Sequence, residues 1–242
     1  MGLLTTRAIV LQTYRYSDTS KILRLMTRDH GPRSAIARGA LRPKSRFGGL
    51  LELFAEGDAT LYFRENRDLH TLSSFELVRE RRSLGRDLDR FAGASVLCEL
   101  VMRLAPEHRD DHLYGALASG LDHLVSVPEE VVPAAALATV WNLVSVLGFA
   151  PDLETCLDCQ EPVLSGHSVR FDFSAGGLRC ARCAPHGLTV AALELESLRR
   201  LTTGRLDGEV TAGQGQLLAD YIRYHLAEGT RLKSLPFLAD LP

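Results

Sequence analysis

Four of the five cysteines in this 242-residue chain form two C-x-x-C pairs within one short stretch. The first pair is Cys156 and Cys159, and the second is Cys180 and Cys183. Each pair can present two thiolates from one turn, and four thiolates complete the tetrahedral shell that Zn²⁺ prefers. The spacing therefore predicts one zinc ion held by these four residues, in the manner of a zinc ribbon.

Other chemistries of paired cysteines fit this stretch less well. A redox C-x-x-C needs only one pair and usually begins a helix in a βαβ unit, which neither pair does. The spacing matches neither ferredoxin pattern, and Ala184 follows Cys183, which excludes a haem attachment motif. A catalytic zinc keeps one coordination position open, whereas four thiolates leave none. We therefore expect a structural ion. His167 and His186 lie nearby and are interpreted as surface residues.

A second candidate site is the basic stretch from residue 30 to residue 51, which contains no acidic residue. Glycine and proline keep much of it irregular, so it could be a flexible loop that follows a phosphate backbone, with Phe47 as a stacking face. The alternative is an ordinary solvated surface, and charge alone does not decide between the two. The cations of this stretch are Arg33, Arg38, Arg42, Lys44 and Arg46.

The charge distribution extends this candidate toward the N-terminus. Residues 1–80 contain 13 Lys and Arg against 9 Asp and Glu, a net charge of +4, which leaves −6 for the rest of a chain of net charge −2. A basic first third suggests a polyanionic partner. Tyr62, Phe63 and Phe75 are expected in the core of this part. Further candidates for phosphate contact, interleaved with Tyr14 and Tyr16, are Arg15, Lys21, Arg24 and Arg28.

The elements that position these residues follow from the apolar pattern. Five short β-rich runs before residue 80 are separated by turn residues, which predicts a five-stranded OB-fold barrel. Helical spacing follows: Phe91 to Ala105, a second helix from Asp111, and later helices over 133–148, 190–203 and 214–227. We therefore predict an α+β fold, with an OB-fold nucleic-acid-binding domain at 1–80. The predicted helical domain at 81–242 is interrupted at 152–187 by the four-cysteine zinc element.

The sequence also narrows the class of protein. No signal peptide is indicated, and the longest apolar region is broken by Pro133, Asn142 and Gly148, so a cytoplasmic protein is expected. The nucleotide-binding and hydrolase motifs G-x-x-x-x-G-K-[ST], G-x-G-x-x-G, H-E-x-x-H and G-x-S-x-G do not occur. These residues indicate a binding module and not an enzyme, and no small-molecule substrate or membrane contact is expected.

The stretch YSDTSKILRLMTRDHGPRSAIARGALRPKSRFGGLLELF resembles the RecO family of bacterial DNA repair proteins, most specifically in its R-G-A-x-R-P-K-S-R-F run. The similarity extends through the helical part and the four cysteines to the tail RLKSLPFLADL. It implies a recombination mediator, associated with the nucleoid, that binds single- and double-stranded DNA and anneals complementary strands. It also implies that RecR is a partner in loading RecA onto strands covered by SSB, whose C-terminal tail is a further contact.

Arg38, Arg42, Lys44 and Arg46 match the basic run of the family, and we assign them to DNA contact. Arg199 and Arg200 could extend that surface. A different class of function stays open, namely a zinc-stabilised scaffold that holds protein partners and binds DNA only incidentally. A hydrolase acting on nucleic acid would require catalytic residues that the sequence does not offer.

Overall fold

The structure is a computed structural model that describes residues 2–63, 67–164, 168–207, 209–226 and 232–241. His167 lies outside these described residues. The chain divides into two compact units, Met1–Val125 and Ser126–Pro242, and each is described by itself.

The first unit begins with five strands that close into a barrel. They are β1 (Gly2–Arg15), β2 (Lys21–Thr27), β3 (Gly31–Ala37), β4 (Glu56–Phe63) and β5 (Leu69–Arg79), in the order β1-β2-β3-β5-β4. The neighbouring strands are antiparallel except for β3 and β5, where Ser34 pairs with Leu69 and Ile36 with Thr71. This single parallel pairing closes the barrel, because β1 also pairs with β4.

Alternation along the strands builds the core of the barrel. Small and branched side chains from every strand meet inside, among them Val10, Leu23, Ala35, Leu61 and Leu72, all of them fully buried. The predicted α+β fold is confirmed, with the five-stranded barrel first and the helices and the cysteine cluster after it.

Among the described residues, two α-helices follow the barrel, α1 (Leu88–Leu104) and α2 (Asp111–Ser126), the last residue of which falls after the unit boundary. The Asp87 side chain accepts a hydrogen bond from the backbone N–H of Arg90 and so caps the start of α1. Gly31 at the start of β3 has a φ of +68°, and a Cβ at this position would lie 2.6 Å from the backbone oxygens of Pro106 and His108. A glycine is therefore needed where the barrel meets the turn between the helices.

The described residues of the second unit form four α-helices and a small sheet. The helices are α3 (Val132–Val146), α4 (Ala192–Thr202), α5 (Gln214–Leu226) and α6 (Leu235–Ala239). The sheet inserts between α3 and α4 and consists of β6 (Asp152–Cys156), β7 (Val169–Asp172), β8 (Gly177–Arg179) and β9 (Leu188–Val190), in the order β6-β8-β7-β9.

Aromatic packing joins the small sheet to the helices of this unit. The ring of Tyr221 on α5 lies 5.2 Å from that of Trp141 on α3 and 5.8 Å from that of Phe171 on β7. Trp141 and Tyr221 are almost fully buried, and the Tyr221 hydroxyl donates to the backbone oxygen of Phe149. The compact division falls after Val125, and the predicted domain boundary after residue 80 stays a prediction.

Candidate metal centre and nucleic-acid interface

The four predicted metal ligands come together at one end of the small sheet. Cys156 ends β6 and Cys180 follows β8, and these two strands are hydrogen-bonded neighbours. A tight turn follows each of the two cysteines. In the first turn the N–H of Gln160 donates to the oxygen of Cys156, and in the second the N–H of Ala184 donates to the oxygen of Cys180. The turns bring Cys159 and Cys183 back beside their partners.

The spacing of the sulfurs fits a single ion. All four sulfurs lie within 4.8 Å of one another, and the Sγ atoms of Cys159 and Cys180 are 3.9 Å apart. A tetrahedral ion with Zn–S bonds of about 2.3 Å places its sulfurs about 3.8 Å apart. The cluster therefore has the donor set and the dimensions of a closed four-thiolate metal site.

Backbone amides favour the thiolate form of two of the ligands. Burial alone would raise the pKa of Cys156, but the N–H groups of Cys159, Cys180 and Asp158 outweigh it and lower that pKa to about 6. At Cys180 the N–H of Cys183 has the same effect and lowers its pKa. The thiol of Cys183 donates to Cys180 and its own pKa is raised. A metal ion would replace the protons shared among these sulfurs.

Arginines fasten the cysteine turns to the rest of the second unit. Arg179 on β8 forms ion pairs with Asp158 in the first turn, at 3.2 Å, and with Asp172 on β7, at 2.9 Å. Arg199 on α4 donates to the backbone oxygens of Leu153 and Val163. The guanidinium of Arg199 thus holds the four-cysteine element in place, and the suggestion that Arg199 extends a DNA surface stays a prediction.

The remaining histidine candidate does not belong to the cluster. His186 is exposed and is not among the residues that converge on the site. Cys98, the fifth cysteine, is buried on α1, where burial raises its pKa to about 12, as expected for an inert thiol.

The basic loop, residues 38–55, follows β3 and presents the most prominent cations. Arg38, Arg42, Lys44 and Arg46 are all exposed, and no hydrogen bond or ion pair occupies their charged groups among the described residues. Four unneutralised cations on one loop are suited to contact with phosphates.

The loop is irregular, as predicted, and it is anchored to the barrel at several points. Successive turns run through it, and the N–H of Leu41 donates to the oxygen of Thr19 in the β1–β2 connection. Phe47 is only 2% exposed and packs into the barrel core with Leu51 and Ala55. The prediction of Phe47 as a base-stacking face is therefore wrong, and the guanidinium of Arg46 lies over its ring, 4.9 Å from the centroid.

Of the aromatic residues predicted in the barrel core, one is buried and another is exposed. Phe75 is buried in the core as expected, whereas Tyr62 is 43% exposed because its side chain points outward from β4. Tyr14 and Tyr16, predicted beside the basic candidates, are exposed as well.

Other cations that were predicted to contact DNA form ion pairs or hydrogen bonds within the protein. Arg15 pairs with Asp18 at 3.7 Å, and Lys21 pairs with Glu52 at 3.4 Å. Arg33 donates to the backbone oxygens of Pro32 and Glu107. Their assignment to DNA contact stays a prediction.

A groove of about 480 Å³, here named the loop groove, lies beside the basic loop. The β1–β2 connection contributes Tyr16, the basic loop contributes Arg38 and Arg42, and Arg67 comes from the β4–β5 connection. OB folds bind oligonucleotides with the β2–β3 face and these same two connections. Sequence analysis missed Arg67, because only the parallel pairing of β5 with β3 brings it beside residues almost thirty positions earlier.

Two family models together match most of the chain. The family model described as "Recombination protein O N terminal" matches residues 1–81, and "Recombination protein O C terminal" matches residues 85–236. None of the helices in the described ranges has the length and apolar character that a membrane crossing requires.

Curated relatives match nearly the whole of this chain. A protein named "DNA repair protein RecO" from Symbiobacterium thermophilum is 37% identical over 100% of this chain and 98% of its own. Proteins of the same name from Anaeromyxobacter sp. and Pelobacter propionicus are 35% and 33% identical, over 96% and 97% of this chain and 94% and 96% of their own.

Proposed function

Because the chain belongs to the RecO family of DNA repair proteins, we propose that it is a recombination mediator without catalytic turnover. It binds single- and double-stranded DNA and anneals complementary strands. With RecR, it promotes the loading of RecA onto single strands coated by SSB. Residues 1–80 supply the DNA-binding domain, and residues 81–242 supply partner surfaces, among them one for the SSB C-terminal tail.

The observation that carries this proposal is the loop groove with its free cations. Arg38, Arg42 and Arg67 line it, and Tyr16 offers an exposed ring for base stacking. Cations on a loop contact phosphates without reading sequence, which suits a protein that must act on any broken DNA. Annealing brings two polyanions together, so neutralising their phosphates lowers the repulsion that opposes it.

We propose that the metal is one structural zinc ion. Four thiolates leave no coordination position for water or substrate, and the cluster lies among the strands and turns of the second unit. When bound, zinc would hold the two turns together. The residues Cys156, Cys159, Cys180 and Cys183 would supply the thiolates, and Arg179 and Arg199 would hold their turns.

The salt dependence of DNA binding tests the proposed interface. We expect the combined change of Arg42, Lys44 and Arg46 to alanine to weaken duplex binding and to reduce the slope of log K against log salt by about 2 to 3, since each phosphate contact contributes about 0.9. Fluorescence anisotropy across a salt series measures both quantities.

A charge-matched control variant separates this interface from net charge. Changing Arg86, Arg205 and Arg223 to alanine removes the same three charges from exposed positions outside the loop groove, and should leave the slope nearly unchanged. An unaltered slope in the loop variant would place the DNA surface elsewhere.

Annealing of naked complementary strands, with and without SSB, then separates a mediator from a protein scaffold, which would not anneal them.

A further inference from the structure

A second cavity in the first unit, of about 490 Å³, adjoins the loop groove at Arg67, which lines both. The barrel forms one wall through Arg24 on β2, Arg33 on β3 and His70 on β5. The end of α1 forms the opposite wall through Arg103. We name this space the helix-side cavity, and its volume falls in the range of small-ligand sites, about 300–1,000 Å³.

The charge in the helix-side cavity is mainly positive. Four arginines line it, namely Arg24, Arg33, Arg67 and Arg103. Two acidic residues, Asp68 and Glu107, also line it, but no ion pair joins either carboxylate to these arginines among the described residues.

The arginines keep donors available for a ligand. Within the described ranges, Arg67 and Arg103 have no hydrogen-bond or ion-pair partner. Arg24 donates to the Ser34 hydroxyl, and Arg33 donates to two backbone oxygens. Each guanidinium has five N–H donors, so both retain donors beyond these contacts.

A buried histidine supplies a second observation. His70 is 3% exposed, and its ring stacks on that of Phe63 with centroids 4.6 Å apart. Its Nδ1 atom is buried and has no hydrogen-bond partner among the described residues. Burial, and next the charge of Arg33, lower the pKa of His70. A small turn of the ring toward the cavity that His70 lines would let a neutral imidazole donate from Nδ1 to an anionic oxygen, which would satisfy this otherwise costly buried nitrogen.

We infer that the helix-side cavity binds the phosphomonoester group of a nucleotide, either at the end of a DNA strand or free in solution. A terminal phosphate carries nearly two negative charges and three free oxygens, twice the charge of an internal phosphodiester, and several guanidiniums suit it. A strand end can enter a space between the barrel and α1, whereas a continuous strand would have to pass through it.

The strand-end form of this inference rests on the proposed function, because it takes the strand to continue from the loop groove past Arg67. The free-nucleotide form does not. Phe63, whose ring is stacked on buried His70, would offer an aromatic wall to the terminal base in either form.

The test compares ligands that differ only in a terminal phosphate. Short single strands of one sequence are prepared with a 5′-phosphate, with a 3′-phosphate or with hydroxyls at both ends. Deoxyadenosine monophosphate is compared with deoxyadenosine for the free form. Titration of the full chain at fixed ionic strength should show about tenfold tighter binding of a phosphate-bearing ligand, the effect of one charge-assisted contact.

Variants assign that preference to the cavity. Changing Arg24 and Arg103 together to alanine should reduce the phosphate preference to less than about twofold, because both lie on the cavity walls. Arg86→Ala, an exposed arginine of the same unit outside the cavity, should retain the preference. Circular dichroism and thermal unfolding verify that both proteins are folded.

Each outcome decides the inference. A preference only among the strands, or only among the free nucleosides, identifies the source of the phosphate. Equal binding in both comparisons, or a preference that survives the double variant, would overturn the site. If the hydroxyl-ended strand binds without salt dependence, the proposed DNA interface fails, while the nucleotide comparison still tests the cavity.

Discussion

Arg81 illustrates at the scale of one residue how the first unit is held together. Its side chain is only 1% exposed and pairs with Glu56 on β4 and with Asp122 on α2, each at 2.7 Å. It also donates to the oxygen of Phe54, and the Tyr114 hydroxyl donates to the second oxygen of Glu56. A single guanidinium therefore ties the barrel, the basic loop and α2 into one unit.

We expect Arg81→Met to lower the free energy of unfolding by about 3–5 kcal/mol, because it leaves the Glu56 carboxylate buried without its cation. The neighbouring change Arg82→Met should have an effect within about 0.5 kcal/mol, since that side chain is largely exposed. Urea unfolding monitored by circular dichroism measures both. Equal effects from the two substitutions would contradict the role assigned to Arg81.

Other arginines, about forty positions earlier in the chain, have the opposite environment. Arg38 and Arg42 are exposed and unpaired within the described residues, whereas Arg81 is enclosed by carboxylates. Arginine composition alone does not distinguish these roles, because burial and pairing depend on strands that meet only in the folded chain.

At the scale of elements, the basic loop owes its shape to its apolar residues. Phe47, Leu51 and Ala55 are buried in the barrel core, while the cations between the turns face solvent. The anchoring fixes where the charges lie, so that less conformational entropy is lost when the loop binds a polyanion.

Separate substitutions of two aromatic residues test whether Phe47 stabilises the barrel and Tyr16 contacts DNA. Phe47→Leu should lower the free energy of unfolding by about 1 kcal/mol and leave the affinity for single strands within about twofold. Tyr16→Leu should leave stability nearly unchanged, because the side chain is exposed, and should weaken binding by about 1–3 kcal/mol through lost stacking. The reverse pattern, measured by thermal unfolding and anisotropy, would restore Phe47 as a base-stacking residue.

Regular elements were predictable from the sequence, because periodic burial marks them. The five barrel strands and helices α1 to α5 lie within a few residues of their predicted positions. The strands β6, β8 and β9 and the helix α6 were not predicted, since three to five residues are too few to show a period. The position of Phe47 follows from the way an irregular loop folds back on the barrel, which no local pattern reports.

The three candidate sites differ in how well the sequence predicts them, for a related reason. The four cysteines were found together because two fixed spacings within about thirty residues describe the whole cluster. The loop groove and the helix-side cavity combine residues from four or more elements. Arg67 reaches these sites through the pairing of β5 with β3, and Arg103 reaches the cavity through the placement of α1. The residues next to them in the sequence therefore do not indicate that either lines a site.

At the scale of the whole molecule, charge and chemistry are divided between the two units. Residues 1–125 contain 19 Lys and Arg against 16 Asp and Glu, a net charge of +3, and residues 126–242 contain 9 against 14, a net charge of −5. The loop groove lies entirely in the first unit, and all four cysteines of the cluster lie in the second. Metal binding and DNA binding should therefore be separable.

Removal of the metal tests this separation. We expect Cys156→Ser, or treatment with a strong chelator, to abolish stoichiometric zinc and to lower the unfolding temperature of the second unit by at least about 5 °C, because a structural metal contributes directly to folding. The affinity of the protein for single strands should stay within about twofold. Elemental analysis, calorimetry and anisotropy on the same samples measure the three quantities.

A change at the remaining cysteine provides the matched control for metal removal. Cys98→Ala alters a buried thiol outside the cluster, so it should keep one zinc ion per chain while causing a modest loss of stability. Native protein without zinc would contradict the metal site itself. DNA affinity that falls in step with zinc content would show instead that the metal element takes part in DNA binding, and the division between the units would not hold.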